Sequence, residues 1–271
     1  MYLGIDIGGT KTLVAALDER GVIVESQRFA TPKEYADFIS ELAQMVAPFT
    51  TKTFTGCCAA VPGLLDREHG IGLAFGNLAW RHVPIRDDIR RIVGCPTIIE
   101  NDANLAGLSE AMLLKEFRRV LYVTISTGIG TGFVVDQAID PDFADSEGGH
   151  MMLEHEGKIQ KWEDFASGKA IVQRFGKRAE EITDTSTWKI IAHDIALGLI
   201  DLIAMIQPEV VVFGGGVDNF FERFQPYLET ELKQLATPLT PIPPLRKAAR
   251  PNEAVLYGCY DLAKSQYGQA R

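Results

Sequence analysis

Apolar residues fall in short runs closed by glycine or charged turns, and one such arrangement occurs twice. Tyr2-Leu3-Gly4-Ile5 leads through Asp6-Ile7-Gly8-Gly9-Thr10-Lys11 into Leu13-Val14-Ala15-Ala16. Val120-Leu121-Tyr122-Val123 leads through Ser126-Thr127-Gly128-Ile129-Gly130-Thr131-Gly132 into Phe133-Val134-Val135. Each second run meets a turn at an aspartate, Asp18 or Asp136. A strand, glycine turn and strand used twice predicts a duplicated unit.

The remaining pattern fills in around these hairpins. Strands are predicted over Tyr2–Ile7, Thr12–Leu17 and Val22–Phe29, joined as an antiparallel meander through Asp18-Glu19-Arg20-Gly21. Phe38, Ile39, Leu42, Met45 and Val46 recur at helical spacing and predict a helix over Tyr35–Ala47. A strand over Phe54–Val61, a loop containing Asn77 and Trp80, a helix over Asp87–Val93 and a short buried strand over Thr97–Glu100 follow. Asn101-Asp102-Ala103-Asn104 then precedes a helix from Leu105 to Leu114. After the second hairpin come an irregular loop from Asp140 to Trp162 and helices over Ala166–Arg178 and Thr187–Ile206. The apolar strand Val210–Phe213 ends in Gly214-Gly215-Gly216, and Thr237–Pro251 reads as proline-rich loop. Asn252 is the expected N-cap of a last helix from Glu253 to Gln266.

These elements predict an α/β chain of two similar domains. Residues 1–104 with about 252–271 form one lobe and 105–251 the other, with the cleft between them as the expected active site.

With 271 residues, 46% hydrophobic and 23% charged, the chain has the composition of an ordinary globular protein. A net charge of −9 disfavours nucleic acid as the main partner, yet leaves room for a nucleotide held by backbone amides. The apolar stretch Ile190–Ile206 is interrupted by His193, Asp194 and Asp201, which fits a buried helix and not a membrane span. No secretory leader is recognisable, so a cytoplasmic location with Cys57, Cys58, Cys95 and Cys259 as free buried thiols is expected.

Candidate chemistry concentrates at the glycine turns and beside them. Gly8 and Gly9 let backbone amides approach a phosphate, Thr10 offers a hydroxyl, and Lys11 can screen charge. Asp6 could hold Mg²⁺ directly or through water. Asp102, at the end of an apolar strand, is either a general base for a substrate hydroxyl or the N-cap of the following helix. Asn101 or Asn104 could cap in its place. Glu147 and His150 can bridge neighbouring hydroxyls of a polyol, or form an ordinary charged pair on a surface loop. Glu163 beside Trp162 is a weaker candidate of the same kind. His69, His82, His155 and His193 have no recognisable partners.

Taken in order, Gly4–Lys11, Val61-Pro62-Gly63, Gly76–Trp80, Glu100–Asn104, Thr127–Gly132, Glu147–Met151 and Val212–Gly216 resemble the ROK family of bacterial sugar kinases and repressors. That family lies within the actin-like, hexokinase-type ATPases, whose lobes are duplicated and ribonuclease H-like. The resemblance implies ATP with Mg²⁺ and phosphorylation of a hexose, usually at the 6-hydroxyl. It implies Asp102 as catalytic base, and Gly63, Asn77, Asn101, Asp102, Glu147, His150 and Glu163 as sugar-binding positions. The turns Gly8-Gly9-Thr10-Lys11 and Thr127-Gly128 would be phosphate loops, and Gly214-Gly215-Gly216 the adenosine-side loop. Glucose is the first-choice substrate, with fructose, mannose or an N-acetylhexosamine as alternatives. Family members often pair as homodimers, which makes a second copy a candidate partner.

Two departures stand out. Many members carry a CxCGxxGCxE zinc motif, but its cysteine positions here hold Glu154, Glu156 and Lys161, and Gln160 replaces a glycine. No structural zinc is expected, and the loop bearing His150 would be fixed by packing alone. The repressors' helix-turn-helix, which precedes the first phosphate loop, has no counterpart, so a DNA-binding role is not expected. A sugar-responsive binding or regulatory protein without turnover is the main rival. An actin-like or chaperone-type ATPase with no sugar site is the third reading.

Overall fold

The computed structural model describes residues 1–51, 53–250 and 253–268. The expected N-cap Asn252 lies outside them. The chain divides into two compact units, Met1–Met112 with Glu253–Arg271, and Leu113–Asn252.

In the first unit β1 (Tyr2–Ile7), β2 (Lys11–Leu17) and β3 (Ile23–Ala30) form the antiparallel meander. Helix α1 (Tyr35–Val46) turns Phe38, Leu42 and Val46 inward. Strand β4 (Gly56–Val61) runs parallel to β1 and is buried throughout, so its small residues admit cover on both faces. Asn77 and Trp80 lie in a loop as expected, but the segment around it also forms a small antiparallel sheet of β5 (Gly63–Asp66), β6 (Ile71–Phe75) and β7 (Arg81–Val83). Helix α2 (Ile85–Val93) and strand β8 (Thr97–Asn101) follow, completing a five-stranded sheet of order β3-β2-β1-β4-β8. Helix α3 (Asp102–Ala111) starts three residues before the predicted Leu105, because Asn101 caps it. The first unit includes all of α3 and runs to Met112, where residue 104 was expected.

The second unit opens on β9 (Arg119–Ile125), β10 (Ile129–Val135) and β11 (Ala138–Ile139), again antiparallel. The predicted irregular loop contains a 3-10 turn at Gly148–His150 and a hairpin of β12 (Met152–His155) and β13 (Lys158–Lys161). Helices α4 (Trp162–Ala166), α5 (Gly168–Phe175) and α6 (Thr185–Ile206) precede β14 (Val210–Gly214). Helix α7 (Phe221–Leu235), which was not anticipated, buries Phe221, Phe224, Leu228 and Leu232. Strand β15 (Leu245–Lys247) lies in the stretch expected to be loop. The sheet order is β11-β10-β9-β14-β15, with β14 parallel to β9 and β15 parallel to β14. Strand for strand this repeats the first unit's sheet: a meander, then two parallel additions beside its first strand.

The chain returns to the first unit as α8 (Ala254–Tyr267), which lies against α3, β1 and β4. Gly258 allows the close crossing, since a Cβ there would meet the Leu105 carbonyl at 1.9 Å. The four cysteines are free and buried, with Cys57 in the apolar core and Cys58 beside Cys259. Among the described residues no helix is long and apolar enough to cross a membrane.

Candidate functional site

In the first unit the strand ends bring the predicted residues into two linked groups. The turn between β1 and β2 is held by Gly8 N–H donating to the Lys11 carbonyl at 2.9 Å and by the Thr31 hydroxyl donating to the Gly8 carbonyl at 2.8 Å. Gly8's amide is therefore engaged within the turn itself. Gly9 comes against Asn77, whose Cβ would lie 2.9 Å from a Cβ at Gly9. Asn77 follows β6, and nearby Trp80 is anchored by a tilted ring contact with Phe38 at 4.7 Å and by donating its indole N–H to the Lys33 carbonyl at 2.7 Å. Burial pushes the Asp6 carboxyl up to about 6, and Lys11 partly offsets this.

The second group surrounds the start of α3. Asn101 Oδ1 accepts from Ala103 N–H at 2.8 Å and Asn104 N–H at 3.3 Å, so Asn101 is the cap. Its Nδ2 donates to the Gly63 carbonyl at 3.4 Å, tying β8 to β5. Asp102, in the first helical turn and half-buried, accepts from Ala103 N–H at 2.8 Å. Buried Glu100 organises this corner: it takes a bidentate pair from Arg67 at 2.6 and 2.8 Å, the Asn101 N–H at 2.7 Å and the Asn104 side-chain amide at 3.0 Å. Sequence reasoning missed Glu100 and Arg67 as supports. The signal was a glutamate closing the apolar strand Thr97-Ile98-Ile99, which buries a charge that must find a partner.

In the second unit Glu163, at the start of α4, is the hub. Its Oε1 lies 3.2 Å from His150 Nε2 and 4.0 Å from Lys161 Nζ. Its Oε2 accepts from Ile129 N–H at 3.3 Å. A Cβ at Gly128 would meet that same oxygen at 2.5 Å. The Thr127-Gly128 turn thus rests on Glu163, which sequence reasoning ranked below Glu147 and His150. Trp162, wholly buried, sets the start of α4 by donating its indole N–H to the Asp194 carbonyl at 3.0 Å. Glu147 sits beside these groups. Burial pushes its carboxyl above the usual carboxylate range, His150 pulls it down, and Glu163 and Asp145 push it further up.

Gly214, Gly215 and Gly216 end β14 and stay within this unit. Cβ atoms at the first two would meet the Tyr122 hydroxyl at 2.0 Å and the Ile125 carbonyl at 2.6 Å, and Gly215 has φ +91°. Packing alone explains those two glycines. Gly216 faces open space. At the positions of the family's zinc cysteines, Glu154 accepts from Gly157 N–H, Glu156 pairs with Arg174 at 3.5 Å, and Lys161 turns to Glu163. Nor is the loop held by packing alone, since His150 gains an ion-pair partner in Glu163. His155 also has partners, contrary to expectation, in Asp194 and Gln160.

Two α/β units of matching sheet order, each with a glycine turn between its first two strands, define a duplicated fold of the actin-like type. The sequence matches the profile of the ROK family over residues 2–266, and the chain belongs to that family. A putative fructokinase from Bacillus subtilis is 29% identical over 80% of this chain and 77% of its own length. A glucokinase from Streptomyces coelicolor is 23% identical over 97% of this chain and 98% of its own. The crystal structure of a ROK family glucokinase from Streptomyces griseus, in complex with glucose and AMPPNP, superimposes with a TM-score of 0.83 at 24% identity. It covers 97% of this chain and 99% of that one.

Proposed function

We propose that this chain is an ATP-dependent hexose kinase, acting on the 6-hydroxyl, with glucose as the first-choice acceptor. The observation that carries the reading is a repeated contact: a glycine of each turn lies against a polar side chain suited to binding a hydroxyl, Gly9 against Asn77 and Gly128 against Glu163. A bare structural turn needs no such neighbour, and the pairing supports donor and acceptor chemistry side by side within each unit. The fructokinase and glucokinase relatives support the same class of reaction.

In the first unit the amides of Gly9, Thr10 and Lys11 take phosphate oxygens, and Gly63, Asn77 and Asn101 orient the sugar. In the second unit Thr127 and Gly128 take phosphate oxygens, Gly216 opens towards the adenosine, and Glu147, His150 and Glu163 accept and donate to sugar hydroxyls. Asp102 accepts the proton of the hydroxyl as its oxygen bonds to the γ-phosphorus, and the bond from that phosphorus to the bridging oxygen breaks to release ADP. Asp6 fits a hard cation, because its carboxyl is buried and Lys11 only partly offsets the cost of that burial. Mg²⁺ bound there, directly or through water, would offset charge on the phosphate oxygens.

ADP formation measured against a panel of glucose, fructose, mannose and N-acetylhexosamines tests the proposal. Glucose is expected to stimulate turnover most. If no sugar raises ATP consumption above the background rate, the kinase reading fails and the sugar-responsive regulator replaces it.

A further inference from the structure

One face of the β12–β13 hairpin covers a buried polar chain that the proposed chemistry does not use. His155 and Asp194 are 7% and 2% exposed, with Nε2 2.9 Å from Oδ1. Across the hairpin the Gln160 side-chain nitrogen lies 3.0 Å from His155 Nδ1 and 3.3 Å from the His155 carbonyl. A carbonyl only accepts, so the amide's NH₂ end points here and Nδ1 is the accepting nitrogen. With Nδ1 accepting, Nε2 is the ring nitrogen directed at Asp194 Oδ1. Arg174 completes the chain, reaching Asp194 Oδ2, the Phe165 carbonyl at 2.9 Å and Glu156 at 3.5 Å. The imidazole stacks on Phe165 with centroids 4.1 Å apart and planes 6° from parallel.

The placement of this chain is what matters. The hairpin starts two residues after His150 and ends two residues before Glu163, so its two ends carry the paired side chains. A two-stranded hairpin is marginal by itself. Its other face has no apolar cover, since Met152 and Ile159 are 60% and 66% exposed. On the opposite face Leu153 packs against the unit's apolar core, His155 supplies the buried polar hold, and the start of α4 is fixed to the same Asp194 through Trp162.

We propose that His155 and Asp194, with Arg174 and Gln160, are positioning residues that hold His150 and Glu163 in register for the acceptor hydroxyls, in a segment where relatives use a metal. The proposal rests on the hexose reading of those two side chains. His155→Phe keeps the ring stack and removes the Nε2–H donor, whereas His155→Gln restores a donor near that position. Steady-state kinetics should show the hexose KM raised at least roughly 10-fold in His155→Phe, with kcat and the ATP KM within about 3-fold. His155→Gln should recover most of the loss. Gln160→Ala, at the rim, should raise the hexose KM about 3-fold and serves if His155→Phe does not fold. Ile203→Val, in the core of the same unit, should lower Tm without raising the hexose KM.

Amide hydrogen exchange supplies a readout independent of turnover. Residues 152–163 should exchange at least roughly 10-fold faster in His155→Phe than in His155→Gln. An unchanged hexose KM, unchanged hairpin exchange, or an equal KM rise in Ile203→Val would overturn the proposal. A wild type that exchanges as expected but uses no hexose would instead sink the kinase reading.

Discussion

Glu163 shows at the scale of one residue why the glycine turns are built as they are. Its carboxylate meets the second turn's backbone with one oxygen and His150 with the other. Gly128→Ala would drive a methyl group into the first oxygen. Steady-state kinetics should therefore show both the hexose KM and the ATP KM raised at least about 10-fold, because one displacement disturbs donor and acceptor contacts together. Gly216→Ala, which meets nothing, should leave the hexose KM unchanged. A rise confined to ATP in Gly128→Ala would separate Glu163 from the sugar. Asp6 gives a pH signature. Its carboxyl titrates near 6 in the folded chain against an ordinary value of 3.8, so the native state holds the proton more tightly than the unfolded chain. That contribution to stability is complete below about pH 4 and is lost as pH rises through about 6. Without metal, the urea midpoint of Asp6→Asn should gain on wild type between about pH 4 and 7. A constant difference would show that Asp6 is not buried as described.

At the scale of elements, two helix crossings set the site. Gly258 brings α8 against Leu105 in α3, the helix that opens on Asp102. Gly198 similarly admits Trp162, which a Cβ would meet at 2.2 Å. Gly258→Ala overpacks the α3–α8 contact and should cost on the order of 2 kcal/mol by urea denaturation, with reduced turnover. A neutral result would mean that α3 shifts freely without moving Asp102. The elements also show what was legible in the sequence. Both meanders could be read because their strands are apolar runs closed by glycine or aspartate turns. The β5–β7 sheet could not, because Gly63–Asp66 and Arg81–Val83 are short, the first exposing Leu64 and the second Arg81 and His82, so neither forms a long apolar run. Helix α7 carries its signal in Phe221, Phe224, Leu228 and Leu232, but Pro226 within it is a residue that ordinarily breaks a helix and so masks the pattern. The candidate residues could be named from motifs, whereas their supports could not. Glu100 with Arg67, and His155 with Asp194, pair across 33 and 39 positions, and no local pattern marks such partners.

At the scale of the whole molecule, duplication explains why the same contact appears in both units. Each sheet ends its first strand at a glycine turn, and each unit adds its own polar side chain against that turn. The second unit departs most from the family pattern, since Glu154, Glu156 and Lys161 stand where thiolates bind zinc and find three separate partners. Chelation followed by restoration of Mg²⁺ should leave Tm and turnover unchanged, and metal analysis should find well under one zinc per chain. Stoichiometric zinc would refute the anchoring of the hairpin by its buried histidine. The central claim is that the Asp102 carboxylate takes the proton of a hexose hydroxyl, and it is tested most directly by Asp102→Asn. The account predicts kcat lowered at least roughly 10²-fold with the sugar dissociation constant nearly unchanged. Turnover within a few-fold of wild type would contradict it.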